Sequence, residues 1–77
     1  MNAFELYDAC FDSANDYAEA TAAYVSEYAH EAMGIAIGHD VAEMIALKKR
    51  EWDSGALGNG ADDFWHGVEK PLTEVEI

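Results

Sequence analysis

A stripe of residues spaced alternately three and four positions apart most constrains how this chain folds. Every member except Thr21 is apolar or aromatic, and this spacing is typical of one face of an α-helix. Asn2 stands where an N-cap is expected, with Glu5 three residues later as a capping-box partner. The stripe therefore predicts a long N-terminal helix over residues 4–35. Its members are Phe4, Tyr7, Phe11, Ala14, Ala18, Thr21, Val25, Tyr28, Ala32 and Ile35.

One segment weakens the prediction of a continuous helix. Residues 12–16 read Asp-Ser-Ala-Asn-Asp, and Asp, Ser and Asn prefer caps and turns to helix interiors. Two hypotheses follow from this segment. Either the helix is continuous, or a short first helix ends near 12–16 and Ser13 caps a second one.

A second helix is predicted after two glycines. Gly34 and Gly38 end the first element, and Asp40 is the expected N-cap, with Glu43 completing a capping box. The helix should run over about residues 41–53, with its apolar side against the first helix.

The C-terminal part is expected to hold little regular structure. Asp62 is predicted to cap a short helical turn that Gly67 closes, and Pro71 is predicted to stop any helix. Residues 71–77 alternate loosely, which indicates an extended segment, either a flexible tail or an edge strand.

These elements predict an all-α fold, a helical hairpin or small bundle that forms one domain over residues 1–77. The hydrophobic fraction of 51% favours a folded domain over a disordered acidic tail. A chain this short buries only about 60% of its unfolded surface, so a homodimer or a larger partner would add stability.

The net charge of −12 excludes several classes of function. With 4 Lys and Arg against 16 Asp and Glu, we expect no direct binding of nucleic-acid phosphates or of anionic membranes. No apolar run is long enough to span a membrane and no signal peptide is visible, so we expect a cytoplasmic protein. The single Cys10 excludes an intramolecular disulfide and every multi-cysteine zinc pattern.

The acidic residues are concentrated in the first part of the chain. Residues 1–47 contain no Lys or Arg, and the first cations form the run Lys48-Lys49-Arg50. This run lies near the predicted C-terminus of the second helix, where cations complement the helix dipole.

On a continuous helix the acidic residues would form a ridge away from the apolar stripe. The ridge and its continuation would span about 39 Å, a rod of carboxylates with spacings comparable to those of DNA phosphates. Tyr17 and Tyr24 lie at the edge of the stripe among these acids, as is typical of protein interfaces. The predicted partner-binding acids are Glu5, Asp8, Asp12, Asp16, Glu19, Glu27 and Glu31.

In its size and in the acidic ridge from Glu5 to Glu19, the chain resembles small acidic phage-encoded inhibitors of host defence, including anti-CRISPR and anti-restriction proteins. Several of those proteins imitate DNA. The resemblance implies a partner with a Lys/Arg-rich nucleic-acid-binding groove, such as a Cas effector subunit. It also implies stoichiometric blocking without catalysis or a cofactor.

Two other functions stay open. The first is a non-mimic interaction module, such as a dimeric adaptor or an acidic antitoxin, which would bind through the apolar stripe or the Phe64-Trp65 end. The second is a metal-binding helical dimer, built on the Glu27-x-x-His30 pair and Glu31. No spacing indicates a catalytic triad, so we expect no enzyme.

Overall fold

The computed structural model describes residues 1–13 and 15–77, and in these residues the regular structure is helical. Helix α1 spans Ala3–Cys10, α2 spans Ala22–Met33 and α3 spans His39–Asp53. A last helical segment consists of α4 (Ala61–Phe64), a π-helical turn (Trp65–Glu69) and α5 (Lys70–Thr73). The prediction of an all-α fold is therefore confirmed for the residues that the structure describes.

The prediction of a long N-terminal helix is wrong, because α1 has only 8 residues. Its capping box is as expected: the Asn2 side chain accepts from the Glu5 amide at 2.9 Å, and the Glu5 carboxylate accepts from the Asn2 amide at 3.3 Å. The break lies where cap-forming residues predict it. Thr21 rather than Ser13 caps α2, with its hydroxyl accepting from the Tyr24 amide at 3.1 Å.

The core is formed mainly by small and medium apolar side chains from α1, α2, α3, the π-helical turn and α5. In α1 the fully buried positions are Ala3, Leu6 and Cys10. Each of them comes one residue before a member of the predicted stripe. Helices α2 and α3 pack closely because alanines lie in their interface. Ala14, a member of the stripe, lies outside the described residues. The core residues are Ala3, Leu6, Tyr7, Cys10, Ala22, Val25, Ala29, Ala42, Ile45, Ala46, Val68 and Leu72.

Helix α3 begins earlier than predicted. Its N-cap is Gly38, so Asp40 lies inside the first turn instead of capping it. The Asp40 charge still complements the positive end of the helix dipole. Gly34 ends α2 with a φ of 69°, a left-handed conformation that glycine adopts without strain.

The last helical segment is longer than expected. Asp63 rather than Asp62 stabilises the N-terminus of this segment. The Asp63 carboxylate accepts from the amides of Asn59 and Gly60 at 3.3 Å each. Gly67 does not close the turn but lies inside it, where a Cβ atom would approach Leu57 to 3.1 Å. The segment therefore packs closely on the loop that precedes it.

Pro71 does not stop this segment, because it lies in the first turn of α5, directly after the π-helical turn. In the π-helical turn the Lys70 amide donates to the Trp65 carbonyl, five residues back. Proline is tolerated in the first turn of a helix, where its missing N–H would have no helical partner.

The C-terminal residues pair with the N-terminus of the chain. Asn2 and Glu76 form an isolated antiparallel bridge, and the Ala3 amide donates to the Val75 carbonyl at 2.8 Å. Leu72 is fully buried. In residues 1–13 and 15–77, no helix has the length and apolar character needed to cross a membrane.

Candidate functional site

The predicted acidic ridge is divided among three parts of the fold. Glu5 and Asp8 lie on α1, Glu27 and Glu31 lie on α2, and the other predicted acids lie in the connection at residues 11–21. The rod of about 39 Å expected for an unbroken helix does not form, since the longest extent of the molecule is 32 Å. The carboxylates therefore lie on a compact surface rather than along one line.

Three of these acids line one open groove. Glu5, Asp8 and Asp12 surround a depression of about 540 Å³ between α1, the connection and α2. Its other lining residues are Ala9, Asn15 and Tyr28. The break in the helix brings this group together, because the chain turns after α1 and α2 places Tyr28 beside it.

A second depression of about 220 Å³ lies on the other side of Tyr28. Glu27 and Glu31 line it together with Tyr24 and Ala32. Tyr28 contributes to both grooves, so two groups of carboxylates share one half-buried tyrosine. We call the residues that line the two grooves the acidic face.

Hydrogen bonds fix the acidic face at the end of α1. The Tyr24 phenol donates to the Cys10 carbonyl at 3.3 Å, and the Asn15 amide group donates to the same carbonyl at 3.2 Å and to the Tyr24 phenol oxygen. The Cys10 carbonyl belongs to the last turn of α1, where carbonyls lack helical partners. Burial raises the pKa of Tyr24 above its ordinary value of 10.0.

The cations of the basic run pair with acids of their own helix, α3. Lys48 lies 3.9 Å from Glu51 and Lys49 lies 3.1 Å from Asp53, so both pairs lie within α3. Arg50 pairs with Glu43 on the same helix. Within residues 1–13 and 15–77, Asp8, Glu27 and Glu31 form no ion pair. The charges of the fold are therefore segregated, with paired charges on α3 and an excess of carboxylates around Tyr28.

Three predicted partner-binding residues lie away from the two grooves. Asp16, Glu19 and Tyr17 belong to the connection and line neither groove. The Tyr17 side chain is 89% exposed and extends into solvent.

The sequence pattern indicates no functional role for Asn15 or Tyr28, although both line the first groove. Tyr28 is a member of the apolar stripe but is half-buried, and Asn15 belongs to the predicted turn-forming segment. The alternation of acids with Asn and Tyr in residues 12–31 is the signal that would have identified them.

The acids do not converge as metal ligands in this structure. In the part of the chain that is described, no three His, Cys, Asp or Glu side chains are grouped closely enough to hold a metal ion. His30, the partner of Glu27 in the Glu-x-x-His pair, is exposed on α2. The geometry is that of a charged surface.

Comparisons with protein-family models, with curated protein sequences and with solved structures found no match to this chain.

Proposed function

We propose that the chain is an acidic inhibitor that binds a Lys/Arg-rich nucleic-acid-binding surface on a partner protein and blocks it stoichiometrically. The observation that carries the proposal is the grouping of carboxylates around Tyr28, with the cations of α3 paired elsewhere. A surface with one sign of charge attracts partners of the opposite sign and accelerates their association.

The acidic face offers two kinds of contact to a basic partner. Its carboxylates accept charge-assisted hydrogen bonds from Lys and Arg, and those bonds are stronger than neutral ones. The ring of Tyr28 lies between the two groups of acids, where an arginine side chain would stack on it. This combination favours a protein surface that normally binds nucleic acid.

The resemblance to phage-encoded defence inhibitors suggests the class of target. We propose a subunit of a DNA-binding defence complex, such as a Cas effector, in the cytoplasm of the host cell. The carboxylates would occupy the channel in which the partner binds DNA phosphates.

The test measures whether the chain prevents purified defence effectors from binding labelled DNA. The acidic-face variant carries Asp8→Lys and Glu31→Lys. Both positions lie in the last turns of helices, where a cation does not oppose the helix dipole. The matched control carries Glu69→Lys and Glu74→Lys, which change the charge equally and line neither groove.

We expect the wild type and the control to inhibit at a one-to-one ratio, and the acidic-face variant to lose inhibition. Inhibition by the wild type should also weaken as salt rises. Equal inhibition by the two double variants would contradict the proposed function. Circular dichroism of each variant checks that its helix content is unchanged.

A second function is favoured by the exposure of Trp65. Its side chain is 45% exposed at the start of the π-helical turn, whereas its neighbour Phe64 packs with Trp52 at a ring-centroid distance of 5.1 Å. Tryptophan is a frequent anchor of protein interfaces. We therefore propose, as the alternative, an interaction module that binds its partner through this end of the fold.

The alternative is distinguished by salt and by one substitution. Binding that is insensitive to salt and lost in Trp65→Ala would support the interaction module. Binding that Trp65→Ala leaves intact would exclude it. Leu47→Ala is the control, since Leu47 is another large apolar side chain that is 44% exposed.

A further inference from the structure

The basic run of α3 contacts both ends of the acidic connection. At the C-terminal end, the Arg50 guanidinium donates to the Ala20 carbonyl at 2.8 Å and also pairs with Glu43. A planar guanidinium reaches two acceptors at once because its donors form a fixed fork. Arg50 therefore joins α3 to the backbone just before α2.

Lys49 contacts the other end of the connection. Its ammonium lies 5.6 Å from the centre of the Phe11 ring, which is within the range of a cation–π contact. Asp53 holds the same ammonium at 3.1 Å. Phe11 is the C-cap residue of α1, so this contact lies where the connection begins.

Lys48 provides the contrast within the same run. It pairs with Glu51 in its own helix at 3.9 Å, and among the described residues its ammonium forms no hydrogen bond, ion pair or cation–π contact with the connection. Lys48 therefore differs from Lys49 and Arg50 in its partners, although all three share a helix and a charge.

We propose that Lys49 and Arg50 form an internal clamp that holds the acidic connection, residues 11–21, against α3. The connection carries three of the predicted partner-binding acids, and like charges in a short segment repel one another. The contacts of Lys49 with the Phe11 ring and of Arg50 with the Ala20 carbonyl hold the two ends of the connection against that repulsion. Because the clamp fixes the connection before a partner arrives, less conformational entropy is lost on binding.

Amide hydrogen exchange tests the clamp without a partner. We expect Arg50→Gln to accelerate exchange in residues 15–21 about fivefold, the effect of losing one exposed charge-assisted hydrogen bond. Lys49→Gln should do the same at residues 11–13. The control Lys48→Gln removes the same charge and should leave both segments unchanged.

A conservative variant separates geometry from charge. Arg50→Lys keeps the charge but lacks the fork that reaches Ala20 and Glu43 together, so its exchange should be intermediate. Exchange in residues 15–21 that is equal in the wild type and Arg50→Gln would overturn the clamp. Equal acceleration by Lys48→Gln would overturn it as well, because charge alone would then explain the effect.

A binding measurement asks whether the clamp serves the acidic face, and this part rests on the proposed function. The probe is a labelled oligoarginine peptide. Charge alone predicts that Arg50→Gln and Lys48→Gln both bind the peptide more tightly, since both make the chain more negative. The clamp predicts that Arg50→Gln binds about threefold more weakly than Lys48→Gln.

Equal affinities of these two variants would overturn the binding role of the clamp. A wild type that does not bind the peptide would count against the proposed function instead. The exchange measurement would still decide whether the clamp exists, so the two failures are distinguishable.

Discussion

The Tyr24 phenol lies 3.3 Å from the Cys10 carbonyl oxygen and ties the end of α1 to the first turns of α2. Fourteen positions separate the two residues in the sequence. Asn15 supports the contact by donating to both groups. This junction stands where the apolar stripe predicts a continuous helix, and its Asn15 lines the first groove.

Removal of the Tyr24 hydroxyl should therefore destabilise the fold. We expect Tyr24→Phe to lower the free energy of unfolding by about 1 kcal/mol, because the Cys10 carbonyl loses one donor and Asn15 loses an acceptor. Urea unfolding measures the change. Tyr17→Phe is the control, since the Tyr17 side chain is 89% exposed. Equal stability of Tyr24→Phe and the wild type would contradict the role of this junction.

Two large side chains of α3 should respond very differently to truncation. Ile45 is fully buried between the helices, whereas Leu47 is 44% exposed. We expect Ile45→Ala to cost about 3 kcal/mol, which combines lost burial with the cavity left behind. Leu47→Ala should change stability by less than about 0.5 kcal/mol. Thermal or urea unfolding of both variants checks the difference, and equal losses would contradict the packing of α3.

Local signals in the sequence predict much of the fold. The capping box at Asn2 and the glycine that ends α2 both follow from side-chain chemistry within a few residues. The register of the stripe was not predictable in this way. Tyr7 and Val25 lie on one heptad pattern, but they belong to different helices, because turn-forming residues between them end the first helix.

The last helical segment shows a second limit. Pro71 predicts a helix end under the ordinary four-residue hydrogen-bond pattern, but the π-helical turn before it changes that pattern. The arrangement of the acidic face also depends on structure that local sequence patterns do not show. The acids are visible in the sequence, but the grouping of Asp8 with Tyr28 depends on how α1 and α2 meet. Contacts between distant residues decide that meeting.

The free energy of unfolding should fall at alkaline pH because two buried groups, the Cys10 thiol and the Tyr7 phenol, resist ionisation. Burial raises the pKa of the Cys10 thiol from 9.0 to about 12. Burial, with the charges of Asp53 and Asp8, raises the pKa of Tyr7 from 10.0 to about 12. Each group binds its proton more tightly in the folded state, so its contribution is complete below its unfolded pKa. That contribution is lost as pH rises from about 9 to about 12.

Urea unfolding across this pH range measures the loss. Tyr7→Phe and Cys10→Ala should each flatten the decline in the free energy of unfolding, because each removes one titrating group. The Cys10 thiol should also react slowly with a maleimide below pH 9.0, which is the ordinary pKa of a thiol. The reaction should become faster at the alkaline pH where the fold opens. A decline that is equally steep in both variants and the wild type would contradict this assignment.

The excess of carboxylates on the acidic face should cost stability. We expect Asp8→Asn to raise the free energy of unfolding by about 0.3 kcal/mol, since it removes a carboxylate that lines a groove with two others. The control Glu51→Gln changes the charge equally but removes the partner of Lys48, so it should not stabilise the fold. Added salt should stabilise the wild type more than Asp8→Asn, because salt screens the repulsion that the variant already lacks. Calorimetry at low and high salt checks both effects. If Glu51→Gln stabilises the fold as much as Asp8→Asn does, then net charge governs the stability, and the arrangement of the acidic face does not.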